Sequence, residues 1–285
     1  MFKDFIIDFI HEHRDTAMFI YYPMVLTHTP LVNPPGSSAE TNLEKHKAMV
    51  RYTDAMTGEI IQALEDAGVR DNTIIIWTTD NGTARGIEGT LNDHQVAGGK
   101  GLTVEAGINA PFIVSCPGKV PQGEVSDALI DFSDLLPTFL DIAESEVPAG
   151  HITDGVSFKD VIYGETSDTE RTWILSMGGG NNARLTENGV ENEYRFRDRV
   201  LRNKRYKLYV DTNGQVAQFY DLETDPYEQH DLFTNFPSEE AQKSYKHLTS
   251  VIKAFPEQDS DPRYVPLPPQ AWDVDVTAKS QVWKK

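Results

Sequence analysis

The chain has 285 residues, enough for one large α/β domain or for a large domain and a small one. It carries 26 Lys and Arg residues against 44 Asp and Glu residues, a formal net charge of −18, which excludes a general binder of nucleic acid backbones. We expect no membrane partner either, because no apolar run approaches the roughly 20 residues of a spanning helix.

The first quarter of the sequence predicts a strand–helix–strand unit. Helical spacing of apolar residues predicts a helix over 2–13, and the apolar run 17–25 predicts a buried strand. A Ser-x-x-Glu capping box at 37–40 and apolar residues at steps of three and four predict a long helix that ends at Gly68. A strand over 73–79 follows, and the crossover is long enough for a right-handed parallel pair.

Residues 72–82 read Asn-Thr-Ile-Ile-Ile-Trp-Thr-Thr-Asp-Asn-Gly. Consecutive apolar residues predict a strand that is covered on both faces, as in a parallel sheet. Asp80 and Asn81 follow where this strand ends, which is where open α/β sheets bind ligands. Their oxygens make them candidate ligands of Ca²⁺, with Mg²⁺ less favoured. The alternative is an Asn-Gly hairpin turn, which the lack of apolar alternation over 83–89 disfavours.

The middle of the sequence predicts a long loop between two buried elements. Residues 83–109 are rich in glycine and poor in periodicity, which is typical of a functional loop. A short strand is predicted over 111–116, and it ends at the sole cysteine, Cys116, which we expect to be structural. Residues 128–143 predict a strand passing into a helix, with Pro137 in the first turn of that helix.

The pattern changes near residue 170. Short strand candidates separated by turn signals predict an antiparallel sheet, and a terminal helix is expected over 238–255. The strand candidates are 173–177, 194–201, 206–210 and 218–222.

Four fragments occur in a fixed order along the chain. They are His-Thr-Pro at 28–30, Thr-Asp-Asn-Gly at 79–82, Gly-Gly-Lys-Gly at 98–101 and Tyr-Asp-Leu-Glu-Thr-Asp-Pro-Tyr-Glu at 220–228. Together they resemble type I sulfatases, of the alkaline-phosphatase-like superfamily, over about residues 15–235. The resemblance implies an incomplete α/β domain with a mostly parallel sheet and flanking helices, followed by a small subdomain of antiparallel sheet and helix. It also implies cleavage of sulfate monoesters in a sulfated small molecule or a sulfated carbohydrate.

The resemblance also implies roles for individual residues. Asp80 and Asn81 match the second pair of calcium ligands in the family. His28 matches a histidine that contacts the sulfate or the leaving oxygen, and Lys100 matches a lysine that binds the sulfate. Their chemistry is suitable, because a lysine offers a compact charge with rotatable donors and a histidine exchanges protons near neutral pH. Positions matching the structural signature of the C-terminal subdomain are Tyr206, Tyr220 and Asp225.

Parts of the family pattern do not occur in this sequence. They are an aspartate pair after an earlier strand, the Cys/Ser-x-Pro-x-Arg motif whose first residue becomes the formylglycine nucleophile, and a Lys-x-His motif. Asn109 also stands where the family usually has an arginine. We therefore expect a C-terminal portion of a sulfatase that is inactive alone, whether a gene fragment or one piece of a split enzyme. Its partner would be the missing N-terminal part or a second copy of the chain.

The predicted organisation has three parts. Residues 1–170 are the C-terminal part of the catalytic α/β domain, 171–255 the small α+β subdomain, and 256–285 an extended tail containing prolines. The alternative functions are a phosphoester or phosphonate hydrolase of the same superfamily and a non-catalytic remnant that acts as a binding protein.

Substrate identity and location stay open at this level. The glycine-rich loop also contains residues that could rim a pocket without marking a particular sulfate ester: Arg85, Glu88, Asp93 and His94. We expect a periplasmic or secreted protein if a complete parent carries a signal, and a cytoplasmic one otherwise.

Overall fold

A computed structural model describes residues 2–178, 183–186, 189–192 and 198–255. The chain divides into two units, Met1–Ile174 and Leu175–Lys285. The tail predicted over 256–285 lies outside the described residues, as do residues 194–197 of the strand predicted over 194–201. Within the described ranges, no helix combines the length and the apolar character needed to cross a membrane.

The first unit is organised around two helices that pack on each other. Ile6 and Ile10 of the first helix contact Ala63 and Leu64 of the second, and these side chains form a buried apolar cluster. In chain order the elements are α1 (Phe2–His13), α2 (Asn42–Asp66), β1 (Ile75–Thr78), β2 (Glu88–Leu91), β3 (His94–Ala97), α3 (Glu105–Ile108), β4 (Phe112–Ser115), α4 (Leu135–Ile142) and α5 (Lys159–Ile162).

The long helix α2 begins later than the sequence predicts. Thr41 and Glu44 form the capping box: the Glu44 amide donates to Thr41 Oγ1 at 3.2 Å, and the Thr41 amide donates to Glu44 Oε2 at 3.0 Å. The box predicted at 37–40 is wrong, because Asn33 Oδ1 accepts from the Ala39 amide and holds this stretch as a loop. The predicted stop agrees with the structure, since Gly68 follows the helix at φ +73°.

The strand predicted over 17–25 does not form. These residues belong to no helix or strand, although Tyr22 packs against the cluster between α1 and α2. Phe19, Tyr21 and Val25 are 72%, 80% and 75% exposed. An apolar run becomes a strand only when a neighbouring strand takes up its backbone groups, so the predicted parallel pairing with 73–79 is also wrong here.

The strand predicted over 73–79 is present as β1, but its partner and direction differ from the expectation. β1 pairs with β4 in antiparallel register, with Trp77 opposite Ile113. A run of apolar residues indicates that a strand is buried on both faces. It does not indicate whether the neighbouring strand runs parallel or antiparallel to it. Because β1 pairs with β4, the Asn81–Gly82 turn does not close a hairpin.

A hairpin is present further along, within the predicted loop 83–109. β2 and β3 pair antiparallel, and the turn between them contains Asn92 and Asp93 at φ +49° and +66°. Asparagine and aspartate are the residues that tolerate this left-handed conformation best after glycine. The prediction of a loop without secondary structure is therefore wrong for these residues, and the Asn-Asp pair was the available signal.

The second unit contains the predicted antiparallel sheet and terminal helix, which are confirmed. The strand order in its main sheet is β10-β9-β8-β5, and β9 pairs antiparallel with both β8 and β10. Leu201, Leu208, Phe219 and Leu248 are fully buried between this sheet and its helix. The elements are β5 (Ile174–Met177), β6 (Ala183–Thr186), β7 (Gly189–Asn192), β8 (Arg199–Arg202), β9 (Tyr206–Val210), β10 (Val216–Asp221) and α6 (Glu239–Ile252).

The second unit also contains a buried ion pair, between Lys207 of β9 and Glu228. Lys207 has no exposed surface, and its Nζ lies 2.8 Å from Glu228 Oε1. The Tyr209 hydroxyl donates to the same oxygen at 2.6 Å. A second pair at the sheet edge joins Arg205 Nη2 to Asp221 Oδ2 at 2.7 Å. Glu228 and Asp221, which both lie in the Tyr-Asp-Leu-Glu-Thr-Asp-Pro-Tyr-Glu fragment at 220–228, are thus paired with basic residues of the second unit.

Candidate functional site

The turn after β1 lies in direct backbone contact with the glycine-rich loop after β3. The Gly82 amide donates to the Gly107 carbonyl at 2.9 Å, and the Lys100 amide donates to the Thr83 carbonyl at 3.0 Å. These bonds bring two of the sequence motifs, Thr-Asp-Asn-Gly and Gly-Gly-Lys-Gly, to one place in the first unit.

Close approach of the two backbones requires glycine. A Cβ added to Gly82 would lie 1.9 Å from the Ala106 carbonyl oxygen, and one added to Gly98 would lie 2.2 Å from that of Ala84. No side chain fits at such distances, so the absence of a Cβ is what allows the loop and the turn to touch. The Gly98 amide completes the contact by donating to the Ile87 carbonyl at 2.8 Å.

Asp80 and Asn81 lie in the turn directly after β1, at the strand end where the sequence predicts them. The Thr79 hydroxyl donates to the Asn81 carbonyl at 3.0 Å and closes the turn locally. Asp80 is exposed and Asn81 is half-buried.

These two residues do not make a complete calcium site. They offer two carboxylate oxygens and one amide oxygen, whereas Ca²⁺ takes about six to eight oxygen ligands. In the part of the chain that the structure describes, no group of three or more His, Cys, Asp or Glu side chains is placed to hold a metal ion.

Lys100 is half-buried in the glycine-rich loop, one residue before Gly101 at φ +82°. Its side chain makes no hydrogen bond or ion pair with any residue that the structure describes. The ammonium group is therefore not used in holding the fold, and its three donors are available to an anionic ligand.

His28 is exposed, and its Nδ1 lies 2.6 Å from the Thr29 carbonyl oxygen. A carbonyl oxygen can only accept, so this contact places the hydrogen on Nδ1 and leaves Nε2 for a ligand. No contact joins His28 to Asp80, Asn81 or Lys100 among the described residues. The structure thus brings the turn of Asp80 and Asn81 into contact with the loop of Lys100, and it does not join His28 to them.

Arg85 belongs to the loop residues that the sequence suggests could rim a pocket, and the structure adds its position relative to Gly101. Its Nη2 lies 4.0 Å from the position that a Cβ would take on Gly101, beside Lys100. Arg85 is exposed and, like Lys100, forms no ion pair or hydrogen bond within the described ranges. No motif in the sequence indicates this proximity, because it depends on how the loop folds back on the turn.

Family models match nearly the whole chain. A model described as Sulfatase matches residues 1–145, and one described as N-sulphoglucosamine sulphohydrolase, C-terminal, matches residues 99–254. An N-acetylgalactosamine-6-O-sulfatase of Bacteroides thetaiotaomicron is 26% identical over 259 residues, which cover 86% of this chain and 49% of that relative. The first curated relatives are matched over 31% to 49% of their length, so the chain spans about a third to a half of them.

Solved structures show the same similarity at the level of the fold. A structure from work on glycosaminoglycan metabolism by Bacteroides thetaiotaomicron has a TM-score of 0.64 at 21% identity and covers 88% of this chain and 53% of that chain. Another, solved in complex with its substrate D-glucosamine-2-N,6-O-disulfate, has a TM-score of 0.56 at 26% identity and covers 74% of this chain and 40% of that chain. These matches confirm the fold class inferred from the four fragments.

Proposed function

Because the chain belongs to the sulfatase family, we propose that it supplies one part of the active site of a sulfuric ester hydrolase that acts on a sulfated amino sugar. Two similar proteins support this substrate class. One is named for the 6-O-sulfate of N-acetylgalactosamine, and the other was solved with a 2-N,6-O-disulfated glucosamine. The four residues predicted from sequence, His28, Asp80, Asn81 and Lys100, are the chain's contribution.

The observation that carries the proposal is the backbone contact between the turn of Asp80 and Asn81 and the loop of Lys100. Main-chain bonds tie the segment that carries Lys100 to the segment that carries Asp80 and Asn81, which supports assigning the three residues to one site. In this assignment Lys100 binds oxygens of the ester sulfate. His28 acts in the form that carries hydrogen on both ring nitrogens: Nδ1 keeps its bond to the Thr29 carbonyl, and Nε2 gives its proton to the departing sugar oxygen. Both steps favour the transition state, in which negative charge grows on the leaving oxygen.

The proposal includes Ca²⁺ with Asp80 and Asn81 as two of its ligands, and a formylglycine nucleophile that comes from outside this sequence. The metal would act as a Lewis acid on a sulfate oxygen when it is bound. The remaining ligands would also come from outside the residues that the structure describes.

Calorimetric titration of the full chain with D-glucosamine 6-O-sulfate tests the binding role. We expect Lys100→Gln to weaken binding about tenfold or more, since a charge-assisted hydrogen bond contributes roughly 1.5–3 kcal/mol. The exposed Lys119→Gln serves as the matched control and should bind as wild type does. Equal affinities for all three proteins would refute the assignment of Lys100.

The same preparation should be titrated with D-glucosamine 6-phosphate. Tighter binding of the phosphate than of the sulfate would favour the alternative function, a phosphoester hydrolase of the same superfamily. Turnover of the sulfate ester by the chain alone is not expected, because the proposed nucleophile is not in the sequence.

A further inference from the structure

Arg85 and Lys100 are held near each other by backbone contacts on both sides of Arg85. The Thr83 carbonyl accepts from the Lys100 amide at 3.0 Å, and the Ile87 carbonyl accepts from the Gly98 amide at 2.8 Å. The arginine therefore projects from a short segment whose two flanks are both tied to the loop of Lys100. Its Nη2 lies 4.0 Å from the position of a Cβ on Gly101.

Arg85 and Lys100 are both without an acidic partner among the described residues, although the chain is strongly acidic. Acidic residues outnumber basic ones by 44 to 26. Two neighbouring cations repel each other, and a bound anion removes that repulsion. A structural role for Arg85 would require contacts that its exposed side chain does not make.

We propose that Arg85 determines substrate specificity by binding a second anionic group of the substrate, beside the ester sulfate bound at Lys100. This inference rests on the proposed function. A guanidinium presents a planar pair of donors that fits a sulfate or a carboxylate in bidentate fashion, whereas the ammonium is a point charge. The substrate class that suits both is a sulfated amino sugar with a further oxyanion on the same ring or on the adjoining sugar.

Titrating the full chain with two ligands tests the proposal. D-glucosamine 6-O-sulfate carries one anionic group, and D-glucosamine-2-N,6-O-disulfate carries two. We expect the wild type to bind the disulfate roughly five- to tenfold more tightly, the gain of one partly exposed charge-assisted pair. Arg85→Gln should remove that preference and leave the affinity for the monosulfate within about twofold of wild type.

Two further variants sharpen the result. Arg85→Lys keeps the charge without the planar donors and should retain part of the preference. Arg51→Gln, the same change at an exposed arginine of α2, should leave both affinities unchanged. A disaccharide with one 6-O-sulfate and one uronate carboxylate distinguishes the two sources of the second oxyanion, since only a carboxylate site would rank it above the disulfate.

Three outcomes would overturn the inference. If Arg85→Gln weakens the binding of both ligands equally, or of neither ligand, Arg85 does not bind a second anionic group. Loss of binding in Lys100→Gln would still support the proposed function in that case. If the wild type shows no preference for two anionic groups, the inference fails in the same way. If the wild type binds neither ligand, the proposed function and the inference fail together.

Discussion

The amide nitrogen of Lys100 donates a 3.0 Å hydrogen bond to the carbonyl oxygen of Thr83. This bond joins the loop that carries the candidate sulfate-binding cation to the turn that follows β1. It belongs to the main chain, so the position of the loop does not depend on any one side chain. The contribution of this contact to the free energy of unfolding can be measured by substituting the glycines that allow it.

Gly82→Ala should destabilise the first unit. The new Cβ would lie 1.9 Å from the Ala106 carbonyl oxygen, so the turn and the loop must separate. We expect a loss of about 1–3 kcal/mol in the free energy of unfolding, as for other overpacked sites, measured by urea denaturation followed by circular dichroism.

Gly58→Ala is the matched control for that change. Gly58 lies on the exposed side of α2 with nothing within 4 Å of the added Cβ. Alanine should stabilise this helix by about 1 kcal/mol through its higher helix propensity. The same sign of effect at both glycines would contradict the close-approach argument.

Glu228→Gln should destabilise the second unit. The change replaces a carboxylate with a neutral amide beside the fully buried ammonium of Lys207, 2.8 Å away. Breaking a buried ion pair from one side costs about 3–5 kcal/mol. Tyr209→Phe removes only the hydroxyl that donates to the same oxygen and should cost about 1 kcal/mol, so urea midpoints that fall equally in both variants would argue against the ion pair as the main contribution.

Acid should weaken the second unit through Asp221. The Arg205 guanidinium lowers the pKa of the Asp221 carboxyl below its usual value. A folded pKa below the unfolded one stabilises the protein at pH values above about 4, and this contribution is lost as the pH falls through the folded pKa. In Arg205→Gln we expect lower stability at neutral pH and a shallower fall in stability between roughly pH 5 and pH 3.

The control for the acid experiment is Lys243→Gln. Its ion pair with Glu239 spans one turn of α6, with side chains 75% and 81% exposed, and such a pair contributes little. The pH profile of unfolding should match that of the wild type. A profile as shallow as that of Arg205→Gln would show that overall charge, rather than the contact with Asp221, governs the acid response.

Calcium should bind the isolated chain only weakly. Asp80 and Asn81 offer too few oxygens, and we expect a dissociation constant no tighter than about 10⁻⁴ M by calorimetry. Asp80→Asn should weaken the residual binding, whereas Asp93→Asn, at the exposed hairpin turn, should not. Submicromolar affinity would show that the chain holds a complete site by itself.

Sequence reasoning succeeded where a feature is encoded locally. The stop of α2 follows from Gly68, whose positive φ any other residue would adopt at a cost. The first turn of α4 contains Pro137, as predicted from its missing amide hydrogen. In the second unit, turns between short strands fix antiparallel neighbours, so the order of β8, β9 and β10 could be predicted.

Reasoning from the sequence failed where structure depends on partners distant along the chain. The run 17–25 has the composition of a strand, but a strand also needs a neighbour in register. The pairing of Trp77 with Ile113 is likewise not encoded by either segment alone. At the site, the motifs identified Lys100 and Asp80 by type, whereas the proximity of Arg85 arises only when Gly98 allows the backbones to touch.

The main-chain bonds on either side of Arg85 have an evolutionary consequence. Since carbonyls and amides fix the spacing of positions 85 and 100, the side chain at 85 can be exchanged while the rest of the loop keeps its shape. Under the proposed role of Arg85, a single codon change there would redirect a descendant toward sugars with a different pattern of anionic groups, and a small saturation library at this one position would sample those outcomes in the laboratory.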